Sequence, residues 1–71
     1  MCEATVFVKD HEGEREIMRD VALVRVAGDE IILSSLLGEQ KLVLGRIEKI
    51  DLIKHSVHLT DLSGGTAVAR R

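Results

Sequence analysis

Apolar and polar residues alternate along much of this chain with the period of two that marks a half-buried β-strand. The opening stretch, Met1-Cys2-Glu3-Ala4-Thr5-Val6-Phe7-Val8, places Cys2, Ala4, Val6 and Val8 on one face and Glu3, Thr5, Phe7 and Lys9 on the other. Lys9 through Glu14 is polar, contains Gly13 and reads as a turn. Arg15 to Arg19 is a short apolar-centred piece, either a brief strand or a connector, and Asp20 punctuates it. Val21 to Ala27 is rich in β-branched residues and predicts a strand.

Gly28-Asp29 is a two-residue hairpin signal, because glycine takes the positive φ that a type II′ turn needs at its first position. Glu30 to Leu36 returns as the partner strand, with Ala22, Val24 and Val26 sharing a face and meeting Ile31 and Leu33. Leu37 to Gln40 is the next turn. Lys41 to Leu44 is a strand broken at Gly45, where a lone glycine suggests the bulge or bend that barrels use at corners. In Arg46 to Ile53, the three-residue spacing of Ile47, Ile50 and Ile53 also allows a helix. Lys54 to Ser56 turns the chain, and Val57 to Thr60 alternates as a closing strand. Short strands joined by tight turns predict an all-β protein, a small antiparallel barrel or curled sheet. Residues 1–62 form the single domain, and residues 63–71, with Ser63-Gly64-Gly65, read as a loose tail.

Composition narrows the function classes. A core built from 71 residues stabilises by only about 3–5 kcal/mol, and one cysteine cannot make an internal disulfide. Oligomerisation, a metal or both are the natural supports, and a homodimer is expected. Twelve acids against ten bases give a net charge of −2, well mixed along the chain, without the basic stripe of a nucleic-acid surface. Phe7 is the one aromatic residue, so no base-stacking platform exists. No apolar run approaches a membrane span and no leader is visible, so a single thiol fits a reducing cytoplasm.

The candidate chemistry lies at the start of the chain. The amine of Met1, the backbone nitrogen of Cys2 and the Cys2 thiolate are each separated by two carbons. An ion taking all three closes two fused five-membered chelate rings. Thiolate and deprotonated amide favour square-planar Ni(II) or Cu(II) over tetrahedral Zn(II). The Glu3 backbone nitrogen, a second subunit's Cys2 or water could supply the fourth donor. Removal of Met1 would make Cys2 the terminus, and its own amine, its thiolate and the Glu3 nitrogen would form a different site. Against all this, a lone cysteine near a terminus is more often a small buried hydrophobe than a ligand.

These residues carry a family likeness. Met1-Cys2 before a β-rich strand, Asp20-Val21 with Val24 and Val26, the Gly28 turn, Gly45-Arg46-Ile47, Ile50-Asp51-Leu52 and a final Val57-His58-Leu59 resemble the CooT family. These are small nickel-binding proteins associated with nickel carbon-monoxide dehydrogenase, and the likeness covers roughly residues 1 to 60. It implies a homodimer of small barrels of Sm-like or Src-homology-3-like type. It implies Ni(II) bound through Cys2, with Met1 and Glu3 entering through backbone nitrogens. It also implies a metallochaperone or nickel reservoir for that enzyme's maturation, with the enzyme or its maturation factors as partners.

Other constellations are weaker. His11, between Asp10 and Glu12 in a turn, is expected in solvent, and His55 and His58 straddle the last turn, not one strand face. A cysteine–histidine pair without an orienting third group or oxyanion feature gives no enzyme. The alternatives are an Sm-like RNA-binding or protein-interaction module in which Cys2 is structural, and a redox role through a Cys2–Cys2 disulfide between copies.

Overall fold

The computed structural model describes residues 3–62; the tail assigned to residues 63–71, like Met1 and Cys2, lies outside them. Five strands form, β1 (Ala4–Asp10), β2 (Gly13–Ala27), β3 (Glu30–Ser35), β4 (Gln40–Asp51) and β5 (Ser56–Asp61). They close into a barrel in sequence order, with β5 back against β1. Each strand but the last is followed by a tight turn, so consecutive strands pair antiparallel. An odd number of strands then leaves the first and fifth pointing the same way, and the closing seam, Thr5 on Ser56 through Lys9 on Thr60, is parallel. The expectation of a purely antiparallel barrel is corrected at that one seam.

Alternation fills the interior. Val6 and Val8 from β1, Ile31 and Leu33 from β3, and Val57 and Leu59 from β5 are buried, joined by Met18 and Val21. Two strands do the work of four because irregularities bend them. In β2, the register steps from Ala4–Val21 to Val6–Met18, which leaves an extra residue on β2 beside Asp20, whose φ is 57°. The first half of β2 therefore pairs with β1 and the second with β3, so the expected short piece over 15–19 and the strand from Val21 are one element.

A further irregularity, between Val21 and Leu23, shifts the register of β2 against β3. Val21 is buried, Ala22 and Val26 are exposed and Val24 is half-buried, so of the three residues expected to share a face only Val24 packs against the core. Val24 and Val26 do pair with Leu33 and Ile31, as read from the pattern. The Gly28-Asp29 hairpin forms with Gly28 at φ 64°.

β4 pairs with β3 up to Leu44 and with β5 from Gly45 onward. Gly45 is the corner, and a Cβ there would stand 2.5 Å from the Thr60 carbonyl oxygen. The helical reading of the stretch from Arg46 fails for a physical reason. A bulge between Ile47 and Lys49 inserts one residue, so Ile47 opposite Leu59 and Ile50 opposite Val57 share a face three residues apart.

Three carboxylates hold turns and seams. The Arg15 guanidinium, then the Glu12 amide, lower the pKa of Asp10. The Thr60 hydroxyl and then Lys9 lower that of Glu48. The Lys54 amide, then that of Ile53, lower that of Asp51. A carboxyl whose folded pKa is depressed contributes stability above its unfolded value, about 4, and loses it as pH falls through the folded value. Thermal melts should therefore give a flat Tm between about pH 5 and 7 and a falling one below about pH 4. A Tm indifferent to acid would mean that these bonds contribute nothing.

Candidate functional site

The geometry of the amino-terminal end follows from two ladders. Ala4 pairs with Val21 on one side, and on the other the Thr5 amide donates to the His55 carbonyl at 2.9 Å. Ala4 therefore stands between two turns. One spans Leu36 to Glu39, where the buried Ser35 hydroxyl accepts from the Leu37 amide at 3.2 Å and the Glu39 amide at 3.1 Å. The Leu36 amide donates to the Asp20 carbonyl, tying this turn to β2 beside Ala4. The other turn runs from Leu52 to His55, where Asp51 accepts from the Ile53 and Lys54 amides at 3.1 and 3.0 Å.

Both turns carry exposed apolar tips, with Leu37 87%, Leu52 79% and Ile53 91% exposed. Large apolar side chains left in water at one end of a small barrel mark a contact surface.

Of the residues singled out in the sequence, Met1 and Cys2 lie outside the described residues, and Glu3 is half-buried next to the first ladder pair. Among the described residues, no group of three or more His, Cys, Asp or Glu side chains is placed to hold a metal ion. His11 is exposed at the β1–β2 turn, as expected, 3.9 Å from Glu12. His55 is exposed at the foot of β5 with a left-handed backbone, φ 53°.

His58 makes contacts that its place in the sequence does not show. Its ring stacks on Phe7 with centroids 5.1 Å apart and planes 12° apart. Nδ1 lies 2.7 Å from a Glu14 carboxylate oxygen and Nε2 lies 3.0 Å from the Ser56 hydroxyl. These contacts form a carboxylate–imidazole–hydroxyl chain of Glu14, His58 and Ser56. Ser56 is buried, and the open clefts on either side of His58 are lined by side chains including Lys9, Lys49 and Lys54, so the chain works as a polar tie across β2, β1 and β5. Glu14 and His58 are 44 residues apart, and only the outward parity of Phe7 and His58 hinted at the contact.

Leu23, Leu42 and Leu44 project from the outer face of β2 and β4, on either side of the outward Ile32 of β3, at 48%, 57% and 44% exposure. No described helix is long and apolar enough to cross a membrane.

Fold and end geometry together define a small closed β-barrel whose first strand begins at Ala4 beside two hydrogen-bonded turns. Comparison with known proteins gives that class a family. The sequence model described as CO dehydrogenase accessory protein CooT matches residues 1–60, and the chain belongs to this family. An uncharacterised protein of Methanothermobacter thermautotrophicus is 34% identical over 59 residues, covering 83% of this chain and 88% of its own. Another from Methanocaldococcus jannaschii is 37% identical over 59 residues, covering 83% of this chain and 96% of its own. The fold matches the crystal structure of a protein assigned as CooT from Carboxydothermus hydrogenoformans. That match has a TM-score of 0.77 and 22% identity, covering 84% of this chain and 97% of the other.

Proposed function

We propose that this protein binds Ni(II) at its amino-terminal end and, as a homodimer, supplies or stores nickel for maturation of nickel carbon-monoxide dehydrogenase in a reducing cytoplasm. The observation that carries the reading is the single cysteine at position 2 of a chain that belongs to a family of CO dehydrogenase accessory proteins. The chelate uses the Met1 amine, the Cys2 amide nitrogen and the Cys2 thiolate, with Glu3 contributing backbone nitrogen. If Met1 is removed, the Cys2 amine, thiolate and Glu3 nitrogen take the ion instead. Two structural facts support the site. The strand that bears it is ladder-bonded on both sides from Ala4 onward, so a short peptide chelate starts from a rigid base. The described residues offer no competing metal cluster.

Thiolate and amide nitrogen must both lose protons to bind, so loading releases protons and weakens as pH falls. The test is an extension of one or two residues ahead of Met1, which removes the terminal amine. Affinity for Ni(II) should fall, and the thiolate-to-nickel charge-transfer band should change. Full retention of both would remove the amine from the site.

The dimer is proposed to form through the apolar outer face bearing Leu23, Leu42 and Leu44. Light scattering should report two chains for the native protein and one for Leu42→Glu. A native protein that is monomeric at micromolar concentration would overturn the dimer.

A further inference from the structure

We propose that a small oxyanion, a phosphate or a carboxylate, binds in the cleft between Lys49, Lys54 and Ser56 on the outer face of the barrel, and that its binding adds a proton to His58. The cleft is built from two neighbouring rows of the sheet. In one, Lys49 of β4 stands opposite His58 of β5, which stands opposite Phe7 of β1. In the other, Asp51, Ser56 and Thr5 are aligned in the same way. The bulge between Ile47 and Lys49 brings Lys49, and not Glu48, into line with His58. With Lys54 from the following turn, these side chains line an open space of about 260 Å³. That is less than the roughly 300–1,000 Å³ of a site for a larger organic ligand and suits an ion or a small charged head group.

Charge singles out this cleft. Lys9, Arg15, Arg19 and Arg46 are each paired with a carboxylate, and Lys41 donates to the Ile17 carbonyl. Among the described residues, neither the Lys49 nor the Lys54 ammonium has a hydrogen-bond or ion-pair partner. Both line this cleft. The one carboxylate with them, Asp51, already accepts from the Ile53 and Lys54 amides. On the other side of His58 the charges balance, with Lys9 and Lys49 against Glu14 and Glu48. Two ammoniums without counter-ions in one concave surface concentrate anions there.

The Glu14–His58–Ser56 chain ends in the same cleft, at the buried Ser56 hydroxyl. That hydroxyl has one proton to give. With a neutral ring, Nδ1–H donates to Glu14 and Nε2 accepts from Ser56, so the hydroxyl proton points inward. For the hydroxyl to donate to an anion instead, Nε2 must carry a proton of its own and donate to Oγ. His58 is then protonated on both nitrogens, and its positive charge stands beside Lys49 and the anion. Glu14 of β2 and Glu48 and Asp51 of β4 favour that imidazolium; Lys9 of β1, Lys49 of β4 and Lys54 oppose it. An oxyanion between the two free lysines offsets the opposing charges, so anion and proton bind together.

The experiment uses the full, untagged, metal-free chain near pH 7, with inorganic phosphate, acetate, and chloride at matched ionic strength. Nitrogen-15 spectra of the histidine rings should show saturable change with phosphate or acetate, His58 passing from one protonated nitrogen to two while His11 and His55 stay in place. The tighter of the two probes identifies the head group. The double variant Lys49→Gln, Lys54→Gln should keep the wild-type Tm and lose at least about tenfold in affinity, since each exposed charge near an anion is worth about fivefold. Ser56→Ala should uncouple the anion from the His58 proton. A response no larger than that to chloride, an unchanged affinity in the double variant, or bound anion with the His58 protonation unaltered would each overturn the proposal. No nickel is present, so none of these outcomes bears on the amino-terminal chelate.

Discussion

Cys2→Ser is expected to lower Ni(II) affinity by at least about a hundredfold, roughly 2.8 kcal/mol, and to abolish the thiolate-to-nickel charge-transfer band. A serine hydroxyl is a hard donor that stays protonated near neutral pH, so it replaces neither the charge nor the softness of the thiolate. The two chelate rings that share the Cys2 nitrogen fall to one. Titration of nickel into both proteins at fixed pH measures the effect. Equal affinities would return Cys2 to the role of a small packing residue. The substitution should leave Tm of the metal-free protein nearly unchanged, because the barrel core is built from Val6 onward.

The largest expected effect on stability is at Gly45. Its Cβ position lies 2.5 Å from the Thr60 carbonyl oxygen and 3.4 Å from the Thr60 carbonyl carbon, both backbone atoms of β5. Neither can swing aside as a side chain would, since Thr60 is paired with Arg46 in the β4–β5 ladder and with Lys9 in the β1–β5 seam. Gly45→Ala must push two ladders apart at the corner where β4 changes partner. Overpacking of this kind costs about 1–3 kcal/mol, and the backbone contact points to the upper end. For a domain of this size that is about 10–20 °C in Tm and a large share of its total stability. By contrast, an added Cβ at Gly28 would meet nothing within 4 Å, and the strain of φ 64° alone would set its cost. Thermal melts of the two alanine variants should rank Gly45→Ala as the less stable, and the reverse order would remove the corner from its structural role.

Much of the barrel was legible because its signals are local. Alternation at Val6 and Val8, the Gly28-Asp29 turn and the lone Gly45 each encode a backbone state within a few residues. Bulges were not legible. An extra residue beside Asp20 or between Ile47 and Lys49 changes strand parity without changing composition, so β2 looked like two pieces and β4 looked partly helical. The parallel seam was implied by the strand count and needed only that count to be taken as five. The Glu14–His58–Ser56 tie depended on a contact between distant parts of the chain, which no pattern in a window can show.

The candidate site divides differently. Its donors, Met1 and Cys2, are read from covalent chemistry in the sequence, and the described residues contribute Glu3 and the frame around it. What the fold adds is position. β1 is anchored from Ala4, two hydrogen-bonded turns stand on either side of it, and His55 closes one of them, none of which could be placed from residue order alone.

Intact mass under native conditions, on untagged protein titrated with Ni(II), tests the central claim most directly. The predicted spectrum shows a dimer carrying one or two nickel ions, each adding the mass of nickel less that of at least two protons, and no such adduct for Cys2→Ser. A spectrum without nickel at stoichiometric metal, or one in which the Cys2→Ser protein carries the same adduct, would contradict it.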